Sequence, residues 1–182
     1  MSKQDFIDEY KKIITRQGSA ELLEWMSGTD FFTAPASSKF HSAYEGGLCD
    51  HSLNVYRVMI SRFNDNRPDE SMAICGLLHD LCKAEFYKPS FRNVKDDATG
   101  KWEKVPYYTI EDRFPYGHGE KSVIMLQQHL RLTPEEIYCI RYHMGAFTDK
   151  DEWNYYARAV KKYPNVLWTH TADMIASNIL DT

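Results

Sequence analysis

His79 and Asp80 stand side by side at the end of an apolar run, Met72-Ala73-Ile74-Cys75-Gly76-Leu77-Leu78, and Lys83 follows three residues later. An imidazole and a carboxylate are both strong ligands for a divalent metal. An ionised carboxylate in an apolar segment costs several kcal/mol unless it is paired or metal-bound. Taken alone, the dipeptide reads as a salt-bridged core pair. Other residues change that reading: His51 in GGLCDHS, His118 in YGHGEKS, His143 in IRYHMG and Asp173 in THTADMIAS. A mixed imidazole and carboxylate set suits Mn, Fe, Co, Ni or Zn, and without thiolates it does not resemble a structural zinc site. Together with Asp80 these ligands exceed one protein-bound metal that keeps a position open for substrate. Two metals bridged by Asp80 use the set more naturally, and such pairs clamp the attacking and leaving oxygens of a phosphoryl displacement.

The elements that must position these residues are mostly helical. Residues 4–16 place Phe6, Ile7, Tyr10, Ile13 and Ile14 on one face, and 20–27 form a second short helix ended by Gly28. Two adjacent glycines, Gly46 and Gly47, allow tight backbone geometry or close approach to a ligand. A helix follows over about 48–63 with His51 in its first turn. The next spans about 69–83 and carries His79 and Asp80 near its C-terminal end. Residues 84–116 lose helical periodicity. Within them, 92–95 and 101–108 flank Asp96-Asp97-Ala98-Thr99-Gly100 and predict a β-hairpin. An excursion of that length between helices is more often functional than filler. Helical pattern returns at about 119–130, directly after His118. Thr133, Pro134 and Glu136 then mark a capped helix start, and that helix runs through Tyr142 and His143. The last helices are expected at about 154–162 and 166–180, the second containing Asp173. The reading is one mainly α domain over 1–182, with an N-terminal helical cap (1–40) and a core (41–182) carrying an insertion at about 86–116.

Composition bounds the function. At 182 residues, with 43% hydrophobic and 14% aromatic residues, the chain is a folded globular protein. A net charge of −4 gives no basic field to hold a long nucleic acid. Cys49, Cys75, Cys82 and Cys139 form no CxxC pair and suit reduced, buried thiols. No segment approaches the roughly 18 apolar residues a membrane span needs, so a cytoplasmic protein with no membrane partner is expected.

The order H…HD…H…H…D resembles the HD-domain superfamily of metal-dependent phosphohydrolases, over residues from about 41 to 177. Within it, HSAYEGGLCDHS (41–52) looks like the HHAYxGGLLEHT pattern of HD-type 3′–5′ exoribonucleases and related relaxase-associated domains. LLHDLCK (77–83) is similar to that family's LLHDIGK. The departures are His41-Ser42 in place of paired histidines and Asp50 in place of a glutamate; neither falls on a core ligand.

The resemblance implies an HD-domain helical bundle with a small β-hairpin insertion. It implies that His51, His79, Asp80 and Asp173 hold a first metal, and that His118 and His143 are the extra ligands of the two-metal branch. Lys83 matches a lysine that contacts the phosphate or protonates a leaving oxygen, so Asp80 and Lys83 are the expected catalytic residues. The cofactor is one or two divalent transition metals per chain (Mn, Fe, Ni or Co, with Mg admissible). The substrate is a small phosphorylated molecule, a nucleotide or a short single-stranded nucleic acid. A regulatory nucleotide-binding module and a di-iron oxygenase are the alternatives. His41 and Glu45 read equally as site entrance or structural loop, His170 as a supporting or packing histidine, and His129 as a helix-surface residue. Arg92, Lys95, Lys101 and Lys104 read more simply as a solvated strand face. The aromatics of 86–116 offer stacking surfaces for bases but are also ordinary core residues.

Overall fold

The computed structural model describes residues 3–181. The expected periodicities become α1 (Lys3–Ile13), α2 (Ser19–Gly28), α3 (Gly47–Phe63) and α4 (Glu70–Leu78), then the strands β1 (Tyr87–Lys95) and β2 (Trp102–Ile110). After them come α5 (His118–Gln127), α6 (Pro134–Arg141), α7 (Trp153–Lys162) and α8 (Asn165–Ile175). The chain is mainly α with a small two-stranded antiparallel sheet. No helix of the described residues is long and apolar enough to cross a membrane.

The longest helix, α3, forms the axis and packs against α1, α4 and α8. Leu48, Leu53, Val55, Tyr56 and Met59 bury one apolar stripe of it, and His51 and Ser52 are buried with them. Its start explains the paired glycines. Gly46 lies in the left-handed region (φ +83°), and a Cβ on Gly47 would sit 2.0 Å from the Ser42 carbonyl oxygen. The close approach is to backbone rather than to a ligand. Gly76 does the same for α4, because a Cβ there would fall 2.6 Å from Tyr56 Cα. The two helices that deliver His51 and His79 therefore cross at short range.

The N-terminal cap shares the main core, to which Phe6, Tyr10, Leu22 and Met26 all contribute. Arg16 locks it in place: its guanidinium donates to Glu70 and to the fully buried Glu136, and also to the Arg131 carbonyl. Glu136 closes the capping box of α6 with Thr133, as expected from the sequence. A buried carboxylate stripped of its cation costs about 3–5 kcal/mol, so Arg16 is a structural residue.

Several boundaries differ from expectation. The helix expected over 69–83 stops at Leu78. The His79 Nδ1–H donates to the Gly76 carbonyl at 2.9 Å, Asp80 leaves helical geometry (φ −100°, ψ 20°), and the Cys82 amide turns to Ser122 Oγ at 3.1 Å. A 3-10 turn over Leu81–Lys83 follows. Side-chain and tertiary hydrogen bonds thus outcompete the next helical turn. The helix expected to reach His143 ends at Arg141, leaving the histidine just beyond it. His118 is the first residue of α5 rather than its predecessor, and α5 ends at Gln127. The strands are longer than expected, paired from Tyr87↔Ile110 to Lys95↔Trp102. The helix expected over 166–180 is α-helical only to Ile175 and closes in a π turn, Ala176–Leu180.

Candidate metal centre

His51, the adjacent His79 and Asp80, His118, His143 and Asp173, from five separate stretches of the chain, converge on one spot. The first turn of α3 brings His51, and the turn after α4 brings His79 and Asp80. The start of α5 brings His118, the residues after α6 bring His143, and α8 brings Asp173. The two oxygens of Asp80 face different sides. Oδ1 lies 2.8 Å from His118 Nε2 and 3.5 Å from His143 Nε2. Oδ2 lies 3.4 Å from His79 Nε2, 3.7 Å from His51 Nε2 and 2.5 Å from Lys83 Nζ. His51 Nε2 is also 3.2 Å from His79 Nε2 and 3.3 Å from Asp173 Oδ1.

These donors are capable of holding a metal ion. The donor atoms of His51, His79 and Asp80 all fall within 4.8 Å of one another, as do those of His79, His143 and Asp173, and those of Asp80, Cys82 and His118. The histidines are aimed by what lies behind them. His79 Nδ1–H and His143 Nδ1–H donate to the carbonyls of Gly76 (2.9 Å) and Ile140 (2.7 Å), which leaves both Nε2 lone pairs turned inward. His51 is held by Asp181, whose Oδ2 accepts from its Nδ1 at 2.7 Å while Oδ1 accepts from Asn54 at 2.6 Å. His118 has Cys82 Sγ 3.2 Å from its Nδ1. Its side chain is 35% exposed, against 0–2% for His51, His79, His143 and Asp80. The site therefore opens on the His118 side, with Asp173 and Lys83 also reached by solvent.

The charges reflect this crowding. Burial pushes the Asp80 carboxyl up, but Lys83, His79, the hydrogen bond from His118 and the nearby His143 outweigh it and hold Asp80 well below the usual carboxylate range. Asp173 is held low in the same way by His51, against its burial. Burial lowers the imidazole pKa of His79 and of His118, keeping both neutral and ready to ligate. His51 goes the other way: burial is opposed by Asp173 and Asp181, which raise it to about 9.

A pH dependence follows from His51. Its folded value lies above the ordinary 6.5, so its pairing stabilises the metal-free protein fully below about pH 6.5 and fades as pH rises through about 9. In chelated protein the urea midpoint is expected to decline between pH 7 and 9.5. Metal binding needs the neutral ring and expels its proton, so metal affinity rises over the same interval. A flat midpoint in chelated protein, measured by fluorescence, would show that His51 carries no charge there.

The sequence reading missed Asp181. It and Asp173 are the acidic residues of the stretch 165–182, and that scarcity is the signal that points to it. His41, read as either entrance or loop, packs its ring 4.9 Å from that of His51. Glu45 lies apart, in a surface cleft with Lys3 and Asp50. His170 supports the centre from behind, its Nδ1–H donating to the His143 carbonyl at 2.8 Å. His129 is half-buried against Trp25 rather than free on a surface. All four cysteines are free and buried. No family model, curated protein or solved structure gives a significant match to the chain.

Proposed function

We propose that the chain is a metal-dependent phosphohydrolase of the HD-domain superfamily, cleaving a phosphate ester or phosphodiester of a nucleotide or short oligonucleotide. The observation that carries this reading is the division of Asp80. One oxygen faces His118 and His143, and the other faces His51 and His79. A single carboxylate serving two donor sets is the arrangement a two-metal centre needs. Divalent ions held there, with Mn, Fe, Co or Ni favoured by the donor set, would lower the pKa of a bound water and neutralise charge on the phosphoryl oxygens.

The chain's own residues supply the rest. Asp80 stays ionised at any working pH, so it does not compete for the proton of the attacking water. Lys83 is kept charged because the pull of Asp80 outweighs its burial. Were Asp80 to hold a divalent ion, Lys83 Nζ, now 2.5 Å from Asp80 Oδ2, would be free to meet a phosphoryl or leaving oxygen. The burial of His51, His79 and His143 keeps bulk water from the ligand side of the centre and preserves these electrostatic interactions.

The test is turnover. Chelator-stripped protein, reloaded separately with Mn²⁺, anaerobic Fe²⁺, Ni²⁺ and Mg²⁺, is offered bis-p-nitrophenyl phosphate, nucleotides and short RNA. Hydrolysis with at least one transition metal is expected. No turnover with any pairing would sink the hydrolase and leave a binding module.

A further inference from the structure

A cleft of about 310 Å³ lies between the loop Ser38–Ala43 and the root of the hairpin, lined among others by Lys39, Pro89, Arg92, Tyr107 and Tyr108. That volume is at the small end of sites for small organic ligands. Both of its walls lead back to the metal centre. On the loop side, His41 lies against His51 and its buried Nε2 has no hydrogen-bond partner. The neighbouring Ser42 is pinned at φ +44°, its amide donating to the carbonyl of Asp181, whose carboxylate holds His51. On the strand side, β1 begins at the buried Tyr87, within electrostatic reach of Lys83, and the Tyr87 ring meets that of Tyr108 at 6.4 Å. The cleft is thus one residue removed from the candidate centre on each wall, through His41 against His51 and through Tyr87 beside Lys83.

The chemistry of the walls is cationic and aromatic. Arg92 Cζ lies 5.6 Å from the Tyr107 ring centroid, the two being diagonal neighbours on one face of the hairpin. Neither Arg92 nor Lys39 has a carboxylate partner among the described residues. The hairpin as a whole carries Lys88, Arg92, Lys95, Lys101 and Lys104 against Asp96, Asp97 and Glu103, in a chain of net charge −4. The cleft itself is lined by two cations, Lys39 and Arg92, and by no carboxylate.

We propose that this cleft binds a nucleoside and its flanking phosphate, so that the substrate is a dinucleotide or the end of a short single strand rather than a simple phosphomonoester. The base stacks on the tyrosine and guanidinium planes, and Arg92 and Lys39 take the second phosphate from opposite walls. The proposal rests on the hydrolase reading for what happens at the metals, but binding in the cleft is measurable without turnover.

The experiment uses the full chain in chelator, which prevents hydrolysis, and titrates it into a 5′-phosphorylated dinucleotide containing 2-aminopurine. Stacking is expected to quench the probe. Arg92→Ala and Lys39→Ala, both at exposed positions, are each expected to weaken binding about tenfold. Lys95→Ala, at the hairpin tip outside the cleft, stays within about twofold. No quenching up to millimolar protein overturns the proposal, and so does an equal loss from Lys95→Ala and Arg92→Ala, which marks diffuse attraction. Failure of turnover in the metal screen would leave a positive binding result intact. Turnover without dinucleotide binding would remove the cleft alone.

Discussion

Asp80→Asn is expected to abolish hydrolysis, lowering kcat about a thousandfold or more, and to cut bound metal from two ions per chain to one or none. The substitution keeps size and shape and removes only the charge and one acceptor oxygen. The carboxylate is the shared element, because Oδ1 serves His118 and His143 while Oδ2 serves His51, His79 and Lys83, and an amide leaves one of the two sides without an acceptor. No neighbour can take over, since Asp173 approaches only the His51 side of the cluster at hydrogen-bonding distance. There is also a structural cost. Lys83 loses its carboxylate partner and becomes a largely buried ammonium with nothing opposite it. Breaking such a pair costs about 3–5 kcal/mol. The activity assay therefore needs a urea melt beside it, and Asp80→Asn with Lys83→Met relieves the orphaned charge. A double variant that folds as well as the parent and still shows no turnover assigns the loss to the centre. A single variant that retains parental kcat and full metal content would refute the role given to Asp80.

The sequence made the site legible further than it made the backbone legible. His51, His79, Asp80, His118, His143 and Asp173 are rare residue types in apolar settings, where an uncompensated charge is too costly to be incidental. The capping box at Thr133 and Glu136 was equally readable, because its partners lie three residues apart. What failed was the local backbone detail that distant contacts decide. The end of α4 is set by Ser122, forty residues on, and by a side-chain bond from His79. Asp181 matters only because a π turn at the end of the last helix carries it back to His51. Gly46 and Gly47 left tight backbone geometry and close approach to a ligand both open, and the structure shows the first, against the Ser42 backbone, a contact fixed only in three dimensions. Lys95, Lys101 and Lys104 are the solvated strand face the sequence suggested, and of the hairpin cations Arg92 alone also faces the loop at 38–43, a juxtaposition that no pattern in the chain shows.

The second large effect separates the two donor sets. Fully loaded protein is expected to hold two metals, and His118→Ala to hold one, with kcat down about a hundredfold. His118 is the member of the cluster most open to solvent, and it touches only Asp80 and Cys82 at hydrogen-bonding distance. Its removal takes the nearer of the two histidines from the Oδ1 side, leaving His143 there at 3.5 Å and His51, His79 and Asp173 in place. Little stability is lost, because the ring fills no core space and α5 keeps its apolar anchors Val123 and Leu126. His51→Ala is the contrasting variant. It empties a fully buried position, leaves Asp181 Oδ2 without its imidazole partner, and removes a donor from the Oδ2 side. Loss of both stability and metal is expected there. Elemental analysis after gel filtration, paired with urea melts, reads both quantities. If loaded parent protein carries one metal, or if His118→Ala loses no metal, then His118 is not a ligand and Asp80 serves a single ion.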